Sequence, residues 1–257
     1  MYRRKRRRIR RQLPLYAFLL AMLAFLLAFA LPPDVPEEDG TEPLPVRSLS
    51  SVLPPEPQGV EPEIPDAARW NLALVNPWNT LPEDYAFTAA ELTNGQKVDQ
   101  RCYPDLQAMM NACRLAGLSP VICSAYRSYE KQEQLYQNKV DRLMAQGLSQ
   151  SEAEASAGKT VALPGSSEHQ LGLAVDIVDL DNQNLDESQE DTAVQKWLME
   201  HSWEYGFILR YPAGKSEITG IIYEPWHYRY VGKDAAAEIH EQGVCLEEYL
   251  GASGRLT

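Results

Sequence analysis

Leu173 to Val178 reads as a strand with an aspartate, Asp176, set among apolar residues. Strand alternation sends Leu173, Val175 and Ile177 to one face and Ala174 and Asp176 to the other. A core can accept the first face, and the small Ala174 leaves room beside the carboxylate. An ionised carboxylate on a buried strand is costly unless it is paired, hydrogen-bonded or bound to a cation. Whatever packs around Asp176 must therefore answer its charge. The plain alternative is a strand-end aspartate that caps a turn. His169 lies seven residues upstream, and Glu224-Pro225-Trp226-His227 adds a second histidine and a second carboxylate. Together these are the donors that divalent zinc favours.

Charge divides the chain sharply. Eight Arg and Lys lie between Arg3 and Arg11, which leaves 16 of the 24 basic residues against 36 acidic ones, so the formal charge of -12 conceals a basic tip and a body near -20. Such a body is a poor partner for nucleic acid, whose phosphates need clustered cations. Leu13 to Leu31 carries no charge and has about the length that spans a bilayer. Basic residues just before it keep that side cytoplasmic and send the body outside. An uncleaved anchor is expected, with Ala28-Phe29-Ala30 as the competing cleavage signal and a secreted body as its consequence. Residues 32 to 66 hold ten prolines and many acids, the composition of a disordered, extended stalk. The expected organisation is thus a basic tip (1–12), a transmembrane anchor (13–31), a stalk (32–66) and a folded domain (67–251).

Within that domain, Leu72 to Asn76 is expected as a strand and Tyr103 to Leu115 as a helix closed by Gly117. A strand over Pro120 to Ser124 follows, then a helix to Gln146 capped by Ser128 and closed by Gly147. A short helix over Ser149 to Ala157 and a single amphipathic helix from Thr192 to Tyr205 are also expected. Phe207 to Tyr211, Gly220 to Tyr223 and Trp226 to Val231 read as later strands, with short helices over Asp234 to Gln242 and Leu246 to Leu250. Helices first and hairpin-like strands later predict an α+β domain with a central antiparallel sheet flanked by helices. Cys102 and Cys113, about 16 Å apart along a helix, cannot bridge each other. Cys123 and Cys245 are left as possible partners or as free thiols.

A catalytic zinc takes three protein ligands and leaves a position for water. His169, Asp176 and His227 supply three, leaving Glu224 as the general base. Pro225 biases Glu224 to an extended or turn conformation, which excludes the helix on which a His-Glu-x-x-His protease carries its residues. Ser-x-His-x-x-Gly-x-Ala-x-Asp (Ser167 to Asp176), Glu-x-Trp-His (Glu224 to His227) and the upstream Ser-x-Tyr-Arg-Ser (Ser124 to Ser128) resemble the VanY family of bacterial peptidoglycan carboxypeptidases, over roughly Trp70 to Leu250. The resemblance implies a small α+β zinc-peptidase domain acting on stem peptides that end in D-alanine. It implies zinc on His169, Asp176 and His227, with Glu224 as base. Arg127 matches the arginine that stabilises the oxyanion, Ser167 a serine contacting the substrate carboxylate, and Gln132 a glutamine lining the site.

Other assignments stay open beside these. Arg127 can instead pair with Glu130 or Glu133 at a helix start. Trp226, Tyr228 and Tyr230 suit sheet packing, and His201 and His240 suit a solvated surface. An L,D-carboxypeptidase, a D-Ala-D-Ala dipeptidase or a cross-link endopeptidase would use the same chemistry. A non-catalytic zinc-dependent wall-binding module is the alternative outside the enzymes, although binding alone needs neither a base nor an oxyanion partner. No protein partner is implied.

Overall fold

The computed structural model describes residues 67–252, so the basic tip, the apolar segment and the stalk lie outside the described residues. Among the described residues no helix is long and apolar enough to cross a membrane. The elements run β1 (Ala89–Glu91), β2 (Lys97–Asp99), α1 (Tyr103–Leu115), β3 (Pro120–Ser124), α2 (Tyr129–Ala145), α3 (Gln150–Ala157), β4 (Ala174–Asp179), α4 (Ala193–His201), β5 (Phe207–Leu209), α5 (Ser216–Thr219), β6 (His227–Tyr230), α6 (Lys233–Gln242) and α7 (Leu246–Tyr249). This is the expected α+β class. The main sheet is antiparallel throughout in the order β3-β4-β6-β5, and β1 and β2 form a separate hairpin.

The alternation read from Leu173 to Ile177 organises the body. Leu173, Val175 and Ile177 join Tyr228 and Tyr230 in a core with Leu106, Met109, Met110 and Cys113 of α1 and Val194 and Leu198 of α4. Each such side chain contributes about 1.5–3 kcal/mol on burial. Tyr228 and Tyr230 are therefore packing residues, and the buried Tyr228 hydroxyl donates to Gln195 Oε1 at 2.9 Å. The opposite face carries Ala174, Asp176, His227 and Arg229. Register pairs Asp176 with His227 and Ala174 with Arg229, and Ser124 sits across Asp176 on the other side. Charge is thus collected on one face of the sheet and apolar bulk on the other.

Local signals hold where chemistry is local. Ser128 caps α2 by accepting from Lys131 N, and Ser149 and Glu152 form a capping box on α3. Three expectations give way to tertiary contacts. Leu72 to Asn76 is no strand: a 3-10 turn covers Ala67–Leu72, and Arg229 Nη2 donates to the carbonyls of Asn71 and Ala73, groups that a ladder would otherwise use. Gly220 to Tyr223 is not a strand either, because Gly220 adopts φ +79 against Pro77, and the segment runs as an irregular wall up to Pro225. Third, the helix expected over Thr192 to Tyr205 is α4 followed by a 3-10 turn, Ser202–Tyr205. Strand β5 also stops early, at Leu209 rather than Tyr211. All four cysteines are free, with Cys123 exposed and the others buried.

Candidate active site

Three segments converge on the charged face. The first is the 3-10 turn Glu168–Leu171, which presents His169 and must then reverse into β4. Gly172 makes that reversal at φ +72 with the Phe87 ring filling the space of a Cβ, which accounts for the glycine of the motif. The second is β4 with Asp176, and the third is the turn Glu224 to Trp226 leading into β6 with His227. Candidate ligand atoms of His169, Asp176 and His227 all lie within 4.8 Å of one another, and all three residues are buried.

Hydrogen bonds decide which nitrogens face inward. His169 Nδ1 donates to the Ala125 carbonyl at 2.6 Å, while Nε2 accepts from Arg127 Nη2 at 2.8 Å. A guanidinium only donates, so Nε2 is the unprotonated, ligand-competent nitrogen. Burial, then the Arg127 charge, lowers the His169 pKa to about 4 and keeps the ring neutral. His227 turns Nδ1 to Asp176 Oδ1 at 3.0 Å and Nε2 to Glu168 Oε2 at 3.4 Å. Burial disfavours its charge, yet the hydrogen bonds to Asp176 and Glu168 outweigh this and raise it to about 9. The cluster attracts positive charge at Nδ1. A divalent cation fits there in place of that proton, with Nε2–H still directed at Glu168. Asp176 Oδ1 stands 3.2 Å from His169 Nε2 and 3.0 Å from His227 Nδ1, close to the roughly 3.3 Å edge of a tetrahedral zinc site with bonds near 2.0–2.1 Å. Two imidazoles and one carboxylate therefore fit zinc.

Glu224 stands over this set with its Oε2 3.9 Å from His227 Nδ1 and no hydrogen bond to its carboxylate. Burial raises its pKa to about 8, a value suited to moving protons near neutrality. Arg127 is held from three sides. It donates to Ser124 Oγ at 3.0 Å, Gln132 Oε1 at 3.1 Å and Asp176 Oδ2 at 2.8 Å, so it pairs with neither Glu130 nor Glu133. Gln132 is fully buried and donates to the Ala162 carbonyl at 2.7 Å; it stands behind Arg127 rather than in the wall of the site. Ser167 does line the site, and its hydroxyl makes no capping bond to the turn. These residues open on a cleft of about 930 Å³, which Trp226 and Tyr211 also line. The Tyr211 ring is 4.8 Å from that of His227. His201 and His240 lie elsewhere, against Trp197 and Trp203.

Sequence reasoning missed the support behind the ligands. Glu168 Oε1 accepts from Arg210 Nε and Arg229 Nη1, both at 2.7 Å, and Arg210 forms a two-pronged pair with Glu247 at 2.9 and 2.6 Å. All four side chains are completely buried. Burial alone would raise the Glu168 pKa, but Arg210 and Arg229 hold it far below the usual carboxylate range. One signal was available: Arg229 lies two residues beyond His227, so strand alternation puts it on the same face.

Known proteins give the same outline. Residues 95–233 match the VanY family model, described as D-alanyl-D-alanine carboxypeptidase. A D-alanyl-D-alanine carboxypeptidase of Enterococcus faecalis is 47% identical over 186 residues, covering 72% of this chain and 67% of that protein. The structure of VanYB in complex with D-alanine-D-alanine superposes with a TM-score of 0.66 at 46% identity, covering 71% of this chain and 98% of that one. A glutamate-to-alanine variant of a VanB-type vancomycin-resistance D,D-pentapeptidase VanY, in complex with Zn(II), superposes at 0.65 with 46% identity, covering 70% and 99%. With more than half its length matched by the family model, and a sheet that brings the motif residues onto one charged face, the chain belongs to the VanY family of D-alanyl-D-alanine carboxypeptidases.

Proposed function

We propose that this chain removes the terminal D-alanine from peptidoglycan stem peptides, and that its apolar segment 13–31 holds the body on the outer face of a cell membrane. Zinc-dependent D-alanyl-D-alanine carboxypeptidase activity is the function of its family and of this chain. The observation that carries the mechanism is the pairing of a compact His-Asp-His donor set with a buried carboxylate, Glu224, that has no hydrogen-bond partner. Binding alone needs no such carboxylate facing the cleft beside the metal ligands.

The roles follow from the atoms each group offers. His169 Nε2, the Asp176 carboxylate and His227 Nδ1 would hold zinc. Zinc bound there supplies Lewis acidity, polarising a peptide carbonyl and making water a nucleophile near neutral pH. Glu224 takes the proton of the attacking water and returns it to the nitrogen of the departing D-alanine. Arg127, charged at any working pH, offsets the negative charge that grows on the carbonyl oxygen. The Ser167 hydroxyl donates to the terminal carboxylate. Glu168 keeps the His227 ring oriented, with the balanced arginine pair behind it.

Sequence supports the outward anchor: basic residues followed by an uncharged run of bilayer length. Membrane fractionation and the mature N-terminus test it, and a body found free of membranes and beginning at Leu31 would refute the anchor. Mass spectrometry of muropeptides after incubation with zinc-loaded protein tests the reaction. Loss of one D-alanine from pentapeptide is expected. Loss from tetrapeptide, release of a dipeptide or opening of cross-links would redirect it to the other wall peptidases. Wall binding with no product would leave a binding module.

A further inference from the structure

The cleft continues well past the reacting groups, along one face of α2. Leu135, Asn138, Lys139 and Arg142 line it at helical spacing, and Asp186 and Glu187 line it from the loop after β4. Lys139 and Arg142 form no ion pair among the described residues, either with those acids or within the helix. The sequence offers them none: positions 135, 136, 138, 143, 145 and 146, three or four residues away, are Leu, Tyr, Asn, Leu, Ala and Gln. Two like charges one helical turn apart disfavour a helix. In a body near -20, two unpaired cations on a cleft wall ask for an anionic ligand.

We infer that Lys139 and Arg142 form a subsite for a carboxylate carried by the substrate peptide upstream of its D-alanyl-D-alanine end. This rests on the proposed peptidase reading and adds the class of substrate, an acidic peptide. Distance sets the position of that carboxylate. Lys139 and Arg142 lie seven and ten residues beyond Gln132, which supports Arg127, or roughly 10 and 15 Å along the helix at 1.5 Å per residue. An extended peptide covers about 3.3–3.6 Å per residue, so the carboxylate belongs about three or four residues before the scissile bond. Asp186 and Glu187 repel the same group and so favour one direction of entry.

The test compares three substrates ending in D-alanyl-D-alanine: a peptide with glutamate three residues upstream, the same peptide with glutamine there, and diacetyl-lysyl-D-alanyl-D-alanine, which ends short of the cations. The full chain, zinc-loaded, is compared with its K139Q/R142Q variant, whose changes are on the surface of α2. The acidic peptide should lose roughly tenfold in kcat/KM, through KM with kcat unchanged, since two partly exposed ion pairs of modest strength are removed. The glutamine and short substrates should be unaffected, and added salt should erase the preference. Equal handling of the acidic and glutamine peptides by the unaltered protein, or equal losses on both in the variant, would overturn the subsite. Equilibrium binding of dye-labelled peptides is measured alongside. A preserved acidic preference in binding with no hydrolysis of any substrate would keep the subsite and refute the peptidase reading.

Discussion

Two clusters of charge share one face of the main sheet, and they obey opposite rules. The sealed one, Glu168, Arg210, Arg229 and Glu247, has two anions and two cations, all fully buried and joined by bonds of 2.6–2.9 Å. The other, His169, Asp176, Glu224, His227 and Arg127, opens on the cleft and is not satisfied by its own members. Glu224 lacks a hydrogen bond, and His227 takes up a proton in the place where a cation fits. Burying charge is tolerated where it is balanced, and a function is indicated where it is not. Ala174 and Asp176 show the boundary in one strand: Ala174 sits across from Arg229 of the sealed cluster, Asp176 across from His227 of the open one.

Breaking either cluster should therefore give a different signature. The largest effect is expected from His169→Ala, which leaves two protein ligands: metal analysis after dialysis should find no retained zinc, and turnover should vanish. Glu168→Ala strands a buried arginine and should cost about 3–5 kcal/mol. Thermal unfolding should show that loss in zinc-free protein too, which separates it from a metal effect. Arg127→Met should lower kcat by about 10²–10³ with zinc retained, as removal of an oxyanion donor does; steady-state kinetics with metal content checks this.

The smallest effect is in the pH dependence of stability, and its sign differs between the clusters. Glu168 is held below its ordinary pKa, so its contribution is present above about 4.5 and is lost as pH falls below that. Glu224 is raised to about 8 by burial, so in zinc-free protein its contribution falls as pH rises from about 4.5 through 8. Glu224→Gln should make the second slope shallower, leaving above about pH 6.5 the part that His227, raised to about 9, contributes, and should leave the first slope in place, as measured by chemical denaturation across pH 3 to 9.

The open cluster was legible in the sequence because its parts are local. Asp176 is conspicuous inside an apolar strand, Gly172 marks the turn after His169, and Pro225 keeps Glu224 out of a helix. The sealed cluster was not: its contacts join residues 37 to 61 positions apart, a reach like that of the open cluster, but none of its members stands out from its local sequence as Asp176 does. Glu168 lay unnoticed between Ser167 and His169. The same tertiary reach undid the strand expected at Leu72 to Asn76, where Arg229 takes the carbonyls. The β1–β2 hairpin was missed although Asn94-Gly95, with Gly95 at φ +80, signals its turn. Gln132, expected in the wall of the site, lies buried behind Arg127 and accepts a hydrogen bond from it.

The central claim is that holding zinc and moving the proton are separate tasks of adjacent side chains. It is tested most directly by Glu224→Gln, with bound zinc and D-alanine release measured on the same sample. One zinc per chain with release lowered by at least about a thousandfold is the predicted result; near-normal release, or loss of the zinc, would contradict it.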